Sequence, residues 1–116
     1  MLEASLKYAD GRLTTRDVFD GVMNKVFTLW VARKKRQIQA VCVARVVDSP
    51  RKRVLDIFGW SGEDRDEWLP LEETLAAYAR AMGCQEFQIW TDGEDLRKIL
   101  GDDGWQEVAT VMRKDI

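Results

Sequence analysis

The chain has 116 residues, of which 46% are hydrophobic and 33% charged, enough to bury one modest core and no more. It contains no histidine and two cysteines, Cys42 and Cys84, which excludes histidine-based triads, histidine zinc sites and a disulfide framework. The net charge is only -2, yet eight basic residues between Arg33 and Arg53 face the single acid Asp48, whereas Asp56 to Ile116 is strongly acidic.

In chain order, Thr14 and Asp17 stand at capping-box spacing before Val18, Phe19, Val22, Met23, Val26 and Phe27, which predicts a first helix over Thr15 to Lys25. Phe27 to Ala32 reads as a strand. The polar run Arg33-Lys34-Lys35-Arg36 then leads into Gln37 to Val47, whose two faces are both apolar, as in a central strand. Asp48-Ser49-Pro50 signals a turn, and Arg53 to Phe58 reads as a third strand ending at Gly59. Short connections predict an antiparallel meander for these three.

The segment from Gly59 to Trp68 is polar and acidic. Pro70 suits the first turn of a helix carrying Leu71, Leu75, Tyr78, Ala79 and Met82 on one face and capped by Gly83. Gln85 to Trp90 alternates as a strand, and the helix before it implies a right-handed parallel crossover. Asp92-Gly93 turns into a short helix with Leu96, Ile99 and Leu100. Asp103-Gly104 turns into a last strand over Trp105 to Arg113. The expectation is one α/β domain spanning residues 1–116, with flanking helices on a mixed sheet.

The meander, the helix ending Ala79-Arg80-Ala81-Met82-Gly83-Cys84, the strand Phe87 to Trp90 and the closing Leu100-Gly101-Asp102-Asp103-Gly104-Trp105 together resemble the GNAT superfamily of acyl-CoA-dependent N-acyltransferases. The resemblance covers the chain from about Thr14 onward. More narrowly, Leu29-Trp30-Val31, Ser49-Pro50-Arg51-Lys52-Arg53-Val54-Leu55 and the Gly83-Cys84 step are similar to small GNAT-like proteins encoded among the virion genes of tailed bacteriophages.

The family resemblance implies acetyl-CoA as cofactor, held by a Gln/Arg-x-x-Gly-x-Gly/Ala loop before the crossover helix, where backbone amides and the helix N-terminus take the pyrophosphate. Here that place reads Phe58-Gly59-Trp60-Ser61-Gly62-Glu63-Asp64-Arg65-Asp66-Glu67. Phe58, Gly59, Gly62 and Arg65 are therefore the candidate cofactor-binding residues, in a degenerate form, since four carboxylates surround one arginine and oppose phosphate. An ordinary polar loop turning at its glycines accounts for the same residues.

The family also implies a tyrosine general acid after the second crossover helix, but Tyr8 and Tyr78 are the only two in the chain. No catalytic residue is assigned. Tyr78 fits a helix face as core, and Cys84 beside a helix cap fits a small buried hydrophobe. Trp60 and Trp90 close the two strands whose carboxyl ends, in the family, splay to admit the pantetheine arm. Two indoles there would either fill the opening or be ordinary rim residues.

These readings favour a GNAT-fold protein-interaction or virion-associated module without a cofactor over an active acetyl-CoA-dependent N-acetyltransferase. The partner is then a protein, among them virion proteins, and oligomerisation is left open. Nucleic-acid binding ranks third, because the two basic turns lie at opposite ends of the middle strand and the pI is near 5.2. No apolar stretch spans a bilayer and no secretory pattern opens the chain, so an intracellular location is expected, in host cytoplasm or virion for a phage protein.

Overall fold

The computed structural model describes residues 13–61, 65–90 and 94–116, with backbone only for 65–69 and 94–96. The first helix, α1 (Thr15–Met23), opens on the expected capping box. The Asp17 amide donates to Thr14 Oγ1 at 3.2 Å and the Thr14 amide donates back to Asp17 Oδ2 at 2.9 Å. It ends two residues earlier than expected, because Lys25 takes a left-handed φ of 62° and reverses the chain. The amides of Val26 and Phe27 then both donate to the Gly21 carbonyl, at 2.8 and 3.1 Å.

Four strands form one sheet in the order β1 (Thr28–Lys34), β2 (Gln37–Asp48), β3 (Arg53–Ser61) and β4 (Glu86–Ile89). The first two pairs are antiparallel and β3 pairs with β4 in parallel, as the sequence predicts. The turn between β2 and β3 closes where it was read: the Ser49 amide donates to the Lys52 carbonyl at 2.8 Å.

Helix α2 (Arg65–Ala81) makes the crossover and α3 (Glu94–Asp102) follows β4. Its start corrects the expected one, for Pro70 lies inside the helix and not at its first position. Proline at the first turn is only a preference. Further in, it forfeits one backbone hydrogen bond, and five residues precede it here with helical backbone. The C-terminus is as expected: Gly83 at φ 79° lets the Cys84 amide reach back to the Ala79 carbonyl at 2.8 Å.

Two clusters flank the sheet. On the α2 face, the small side chains Ala40, Cys42 and Ala44 of β2, all at 0% exposure, leave room for Leu71, Leu75 and Ala79 of α2 against Leu55, Ile57 and Trp60 of β3. Leu100 of α3 joins them. Each fully buried leucine or isoleucine there is worth roughly 1.5–3 kcal/mol of transfer free energy. On the other face Val18 of α1 and Val43 pack with Val22, Phe27 and Phe58.

The expected last strand over Trp105 to Arg113 does not form. Residues 105–116 carry no strand, and 106–116 are exposed throughout. Trp105 docks, its ring stacked on Phe87 at 5.5 Å and its indole N–H donating to Glu72 Oε1 at 3.2 Å. Alternation and β-branched residues gave that segment strand character, but a strand needs an edge beside it, which local pattern does not supply.

Candidate functional site

The parallel pair runs from Val54 opposite Glu86 to Ile57 opposite Ile89. β3 then continues alone on that side through Phe58 to Ser61. This is the end at which the family resemblance places a cofactor opening. A register shift sits at its base, with Ala44 opposite Ile57 and Val43 opposite Gly59, so that Phe58 is the extra residue of a bulge.

The bulge decides where each candidate goes. Phe58 turns to the α1 face, its ring edge-on to Phe27 at 4.7 Å with the Arg45 guanidinium 5.5 Å from its centroid. Gly59 is buried within the strand. Both therefore lie in β3, and the expected loop from Gly59 to Glu67 is corrected to a short connection between Ser61 and Arg65. Reading Gly59 as a stop missed that a glycine inside a strand more often marks a bulge. Gly62 lies outside the described residues. Arg65 is the first residue of α2, with only its backbone described.

The two tryptophans at the opening part company. Trp60, opposite Cys42, returns to the α2 face and is buried in the core at 8% exposure, whereas Trp90 is 44% exposed on the rim. Tyr78 packs edge-on against Trp30 with ring centroids 5.0 Å apart, the core role its helical spacing suggested. Neither thiol is activated. Burial pushes Cys42 up to about 12, and it raises Cys84 as well, partly offset by the Arg53 guanidinium.

A residue the sequence reading passed over is Asp56, the one buried charged side chain among the described residues, at 1% exposure. Its Oδ2 accepts from Arg45 Nε of β2 at 3.1 Å and its Oδ1 from Gln88 Nε2 of β4 at 3.3 Å. The row ties three adjacent strands together on the face opposite α2, one residue before the parallel pair ends. With both oxygens engaged, the carboxylate is a structural tie. The signal was a lone acid between Leu55 and Ile57 in an otherwise apolar strand.

The two basic turns also separate. At the β2–β3 turn Lys52 pairs with Glu86 at 3.2 Å, Arg53 pairs with Asp48, and Arg53 Nη1 donates to the Met82 carbonyl at 2.9 Å. At the β1–β2 hairpin Arg33, Lys34, Lys35 and Arg36 make no ion pair among the described residues. Lys34, Lys35 and Arg36, with Gln37 and Gln39, line a shallow depression of about 630 Å³. Because Val41 of β2 lies opposite Ser61, this hairpin projects past the same end of the sheet as the cofactor opening. A second groove, of about 480 Å³, lies at β1 between Val22, Phe27, Trp30 and Tyr78. No group of metal-ligating side chains is present among the described residues, and no helix among them is long and apolar enough to cross a membrane.

No family model matches the sequence, and no curated protein matches it. Solved structures do. A tetramutant of the BH1408 protein from Bacillus halodurans superposes with a TM-score of 0.74 at 14% identity, over 90% of this chain and 75% of that one. A predicted acetyltransferase with acetyl-CoA from Clostridium acetobutylicum gives 0.67 at 16% identity, over 87% and 71%. AAC(6')-Iy in complex with the bisubstrate analog CoA-S-monomethyl-acetylneamine gives 0.69 at 16% identity, over 95% and 84%. At these identities the likeness shows the fold alone: the chain has a GNAT-like architecture, one mixed four-stranded sheet with flanking helices.

Proposed function

We propose that this GNAT-fold chain acts by binding an acidic partner protein at the β1–β2 hairpin, and that its acyl-CoA opening is too compromised to support acetyl transfer. The observation that carries the reading is the contrast between the two basic turns. At the β2–β3 turn Lys52 and Arg53 are paired with Glu86 and Asp48, leaving only Arg51, while the hairpin keeps four cations available for a partner. Unpaired charge at a projecting turn steers encounter and is screened by salt beyond about 10 Å at 0.1 M.

Two observations support loss of transfer chemistry. Trp60 fills core at the end of β3, and the stretch that follows carries Glu63, Asp64, Asp66 and Glu67 against Arg65. Each uncompensated carboxylate near a phosphate costs on the order of 1 kcal/mol, enough together to move a micromolar site toward millimolar. The association with virion proteins rests on the short sequence strings alone. Active N-acetylation is the second reading, favoured by β3 running on beyond the end of β4 and by neighbours solved with acetyl-CoA or a CoA analog.

Two titrations test these statements. A synthetic Asp/Glu-rich peptide should bind the wild type and weaken about tenfold in a variant carrying Lys34→Gln, Lys35→Gln and Arg36→Gln, and likewise on raising salt from about 0.05 M to about 0.5 M. Tighter binding of a DNA duplex than of the peptide would instead establish the nucleic-acid reading. Calorimetry with acetyl-CoA should give millimolar affinity or no heat. A micromolar dissociation constant abolished by Gly62→Trp would put the acetyltransferase first.

A further inference from the structure

β1 forms one margin of the sheet, with no strand beyond it among the described residues. It is seven residues long, about 23 Å of extended chain. Native sheets blunt such a margin with charge, proline or a bulge. Thr28 to Ala32 carry none of these, for the irregularity falls after Ala32 and the first charge is Arg33. The groove of about 480 Å³ lies along this stretch, with Val22, Phe27 and Leu29 on the α1 side and Trp30 and Tyr78 on the α2 side. A strand laid there would meet apolar surface on both of its faces. Leu29, opposite Val43, and Val31, opposite Val41, stand 42% and 40% exposed beside it.

Charge says what kind of strand fits. Lys25 lines the foot of the groove and makes no ion pair among the described residues. At the head of β1 stand the four hairpin cations, and no acid occurs anywhere from Lys25 to Val47. The margin is therefore apolar in the middle and cationic at both ends. A second β1 laid antiparallel by a two-fold axis would bring each Lys25 against the other copy's hairpin, cation on cation. A foreign strand with acids at its ends meets opposite charge at both.

We propose that the outer edge of β1 takes an extended segment of the acidic partner as an added strand, its apolar side chains in the groove and its carboxylates at Lys25 and at the hairpin. This names the contact made by the partner proposed above and rests on that reading. Main-chain hydrogen bonds to the open edge hold the segment, and the Trp30–Tyr78 and Val22–Phe27 walls select β-branched or other apolar residues on alternate positions. The two cationic ends fix its register.

The probe is a blocked peptide of about ten residues, valine and threonine alternating in the middle and two glutamates at each end, titrated into the full chain. Hydrogen exchange should show new protection at the alternate amides of Thr28–Lys34 that do not face β2, and the Trp30 indole resonance should shift. Methylating the peptide's backbone nitrogens keeps every side chain and charge but removes the pairing, and should weaken binding at least about tenfold. Lys25→Gln should weaken it about two- to fivefold, although Lys25 lies a whole strand from the hairpin and beyond the screening length of about 10 Å. Equal binding of the methylated peptide, with both forms weakened by the hairpin triple variant, would overturn the added strand and leave the hairpin reading standing. Binding of neither would overturn both. New protection at Glu86–Ile89 in place of β1, or outward β1 amides already protected in the free chain by its own residues or by a second copy, would overturn the added strand.

Discussion

Gly21→Ala sets two effects of opposite sign against each other. In an exposed helix position the change should stabilise, since alanine exceeds glycine in helix propensity by about 1 kcal/mol. Position 21 is not open, however. A Cβ there would fall on the Phe27 ring, within 2.9 Å of its Cγ and nearer still to two further ring carbons. Cγ is the stem of the ring, so a small rotation does not clear the contact, and Phe27 is held in place on its far side by Phe58 and by the Val18–Val43 cluster. Its amide is also tied to the Gly21 carbonyl. Overpacking of this kind costs typically about 1–3 kcal/mol. A contact this close belongs at the upper end of that range, so with the propensity gain deducted Gly21→Ala should lose about 2 kcal/mol, a drop in Tm of roughly 8 °C for a domain of this size. Urea unfolding followed by tryptophan fluorescence measures it. The double variant Gly21→Ala with Phe27→Leu should recover part of the loss relative to the sum of the single changes. Unchanged or raised stability of Gly21→Ala would refute the close approach of α1 to the strand that follows it.

Four further outcomes follow from other contacts. Cys42 holds its proton to about 12 when folded against an ordinary 9.0, so above pH 9 the unfolded thiol ionises while the folded one does not; urea midpoints should fall as pH rises from about 9 toward 12, and less steeply in Cys42→Ala. At neutral pH the buried Cys42 should resist alkylation, which peptide mapping after iodoacetamide detects. Asp56→Ala should cost about 1–3 kcal/mol in urea unfolding, below the value for a fully buried pair because Arg45 is half in solvent and can stay hydrated, and Asp56→Asn should cost less by keeping an acceptor for Gln88. Trp105→Ala removes both the stack on Phe87 and the bond to Glu72, and thermal unfolding should register about 2–3 kcal/mol for this half-buried indole.

What local pattern encodes, the sequence discloses. The Thr14–Asp17 box, the Gly83 cap and the Ser49 turn each satisfy backbone groups within a few residues, and each is where it was expected. The parallel sense of β3 and β4 was also legible, since a helix between two strands leaves one handed way back to the sheet. Misreadings arose where a distant partner decides. Gly59 continues a strand because Val43 is opposite it, and Trp105 to Arg113 is not one because no strand among the described residues pairs with it. The same holds at the opening. Phe58 and Gly59 were recognised as lying near it, but the bulge that sends Phe58 to the α1 face exists only in the pairing of β2 with β3. The role of Asp56 likewise depends on Arg45 and Gln88, which are 11 and 32 residues away.

Arg53 is fastened in three directions: its side chain to Asp48 at the end of β2, its guanidinium also to the Met82 carbonyl after α2, and its own carbonyl to the Gln85 amide before β4. Lys52 and Glu86 add a fourth tie at the same end. The parallel pair is thus riveted where both strands begin, whereas beyond Ile57 β3 is held by β2 alone. Arg53 therefore acts as the hinge pin of the crossover: removing its side chain would loosen the start of β4 and the end of α2 together, while the β2–β3 pairing out to Ser61 would stay in place.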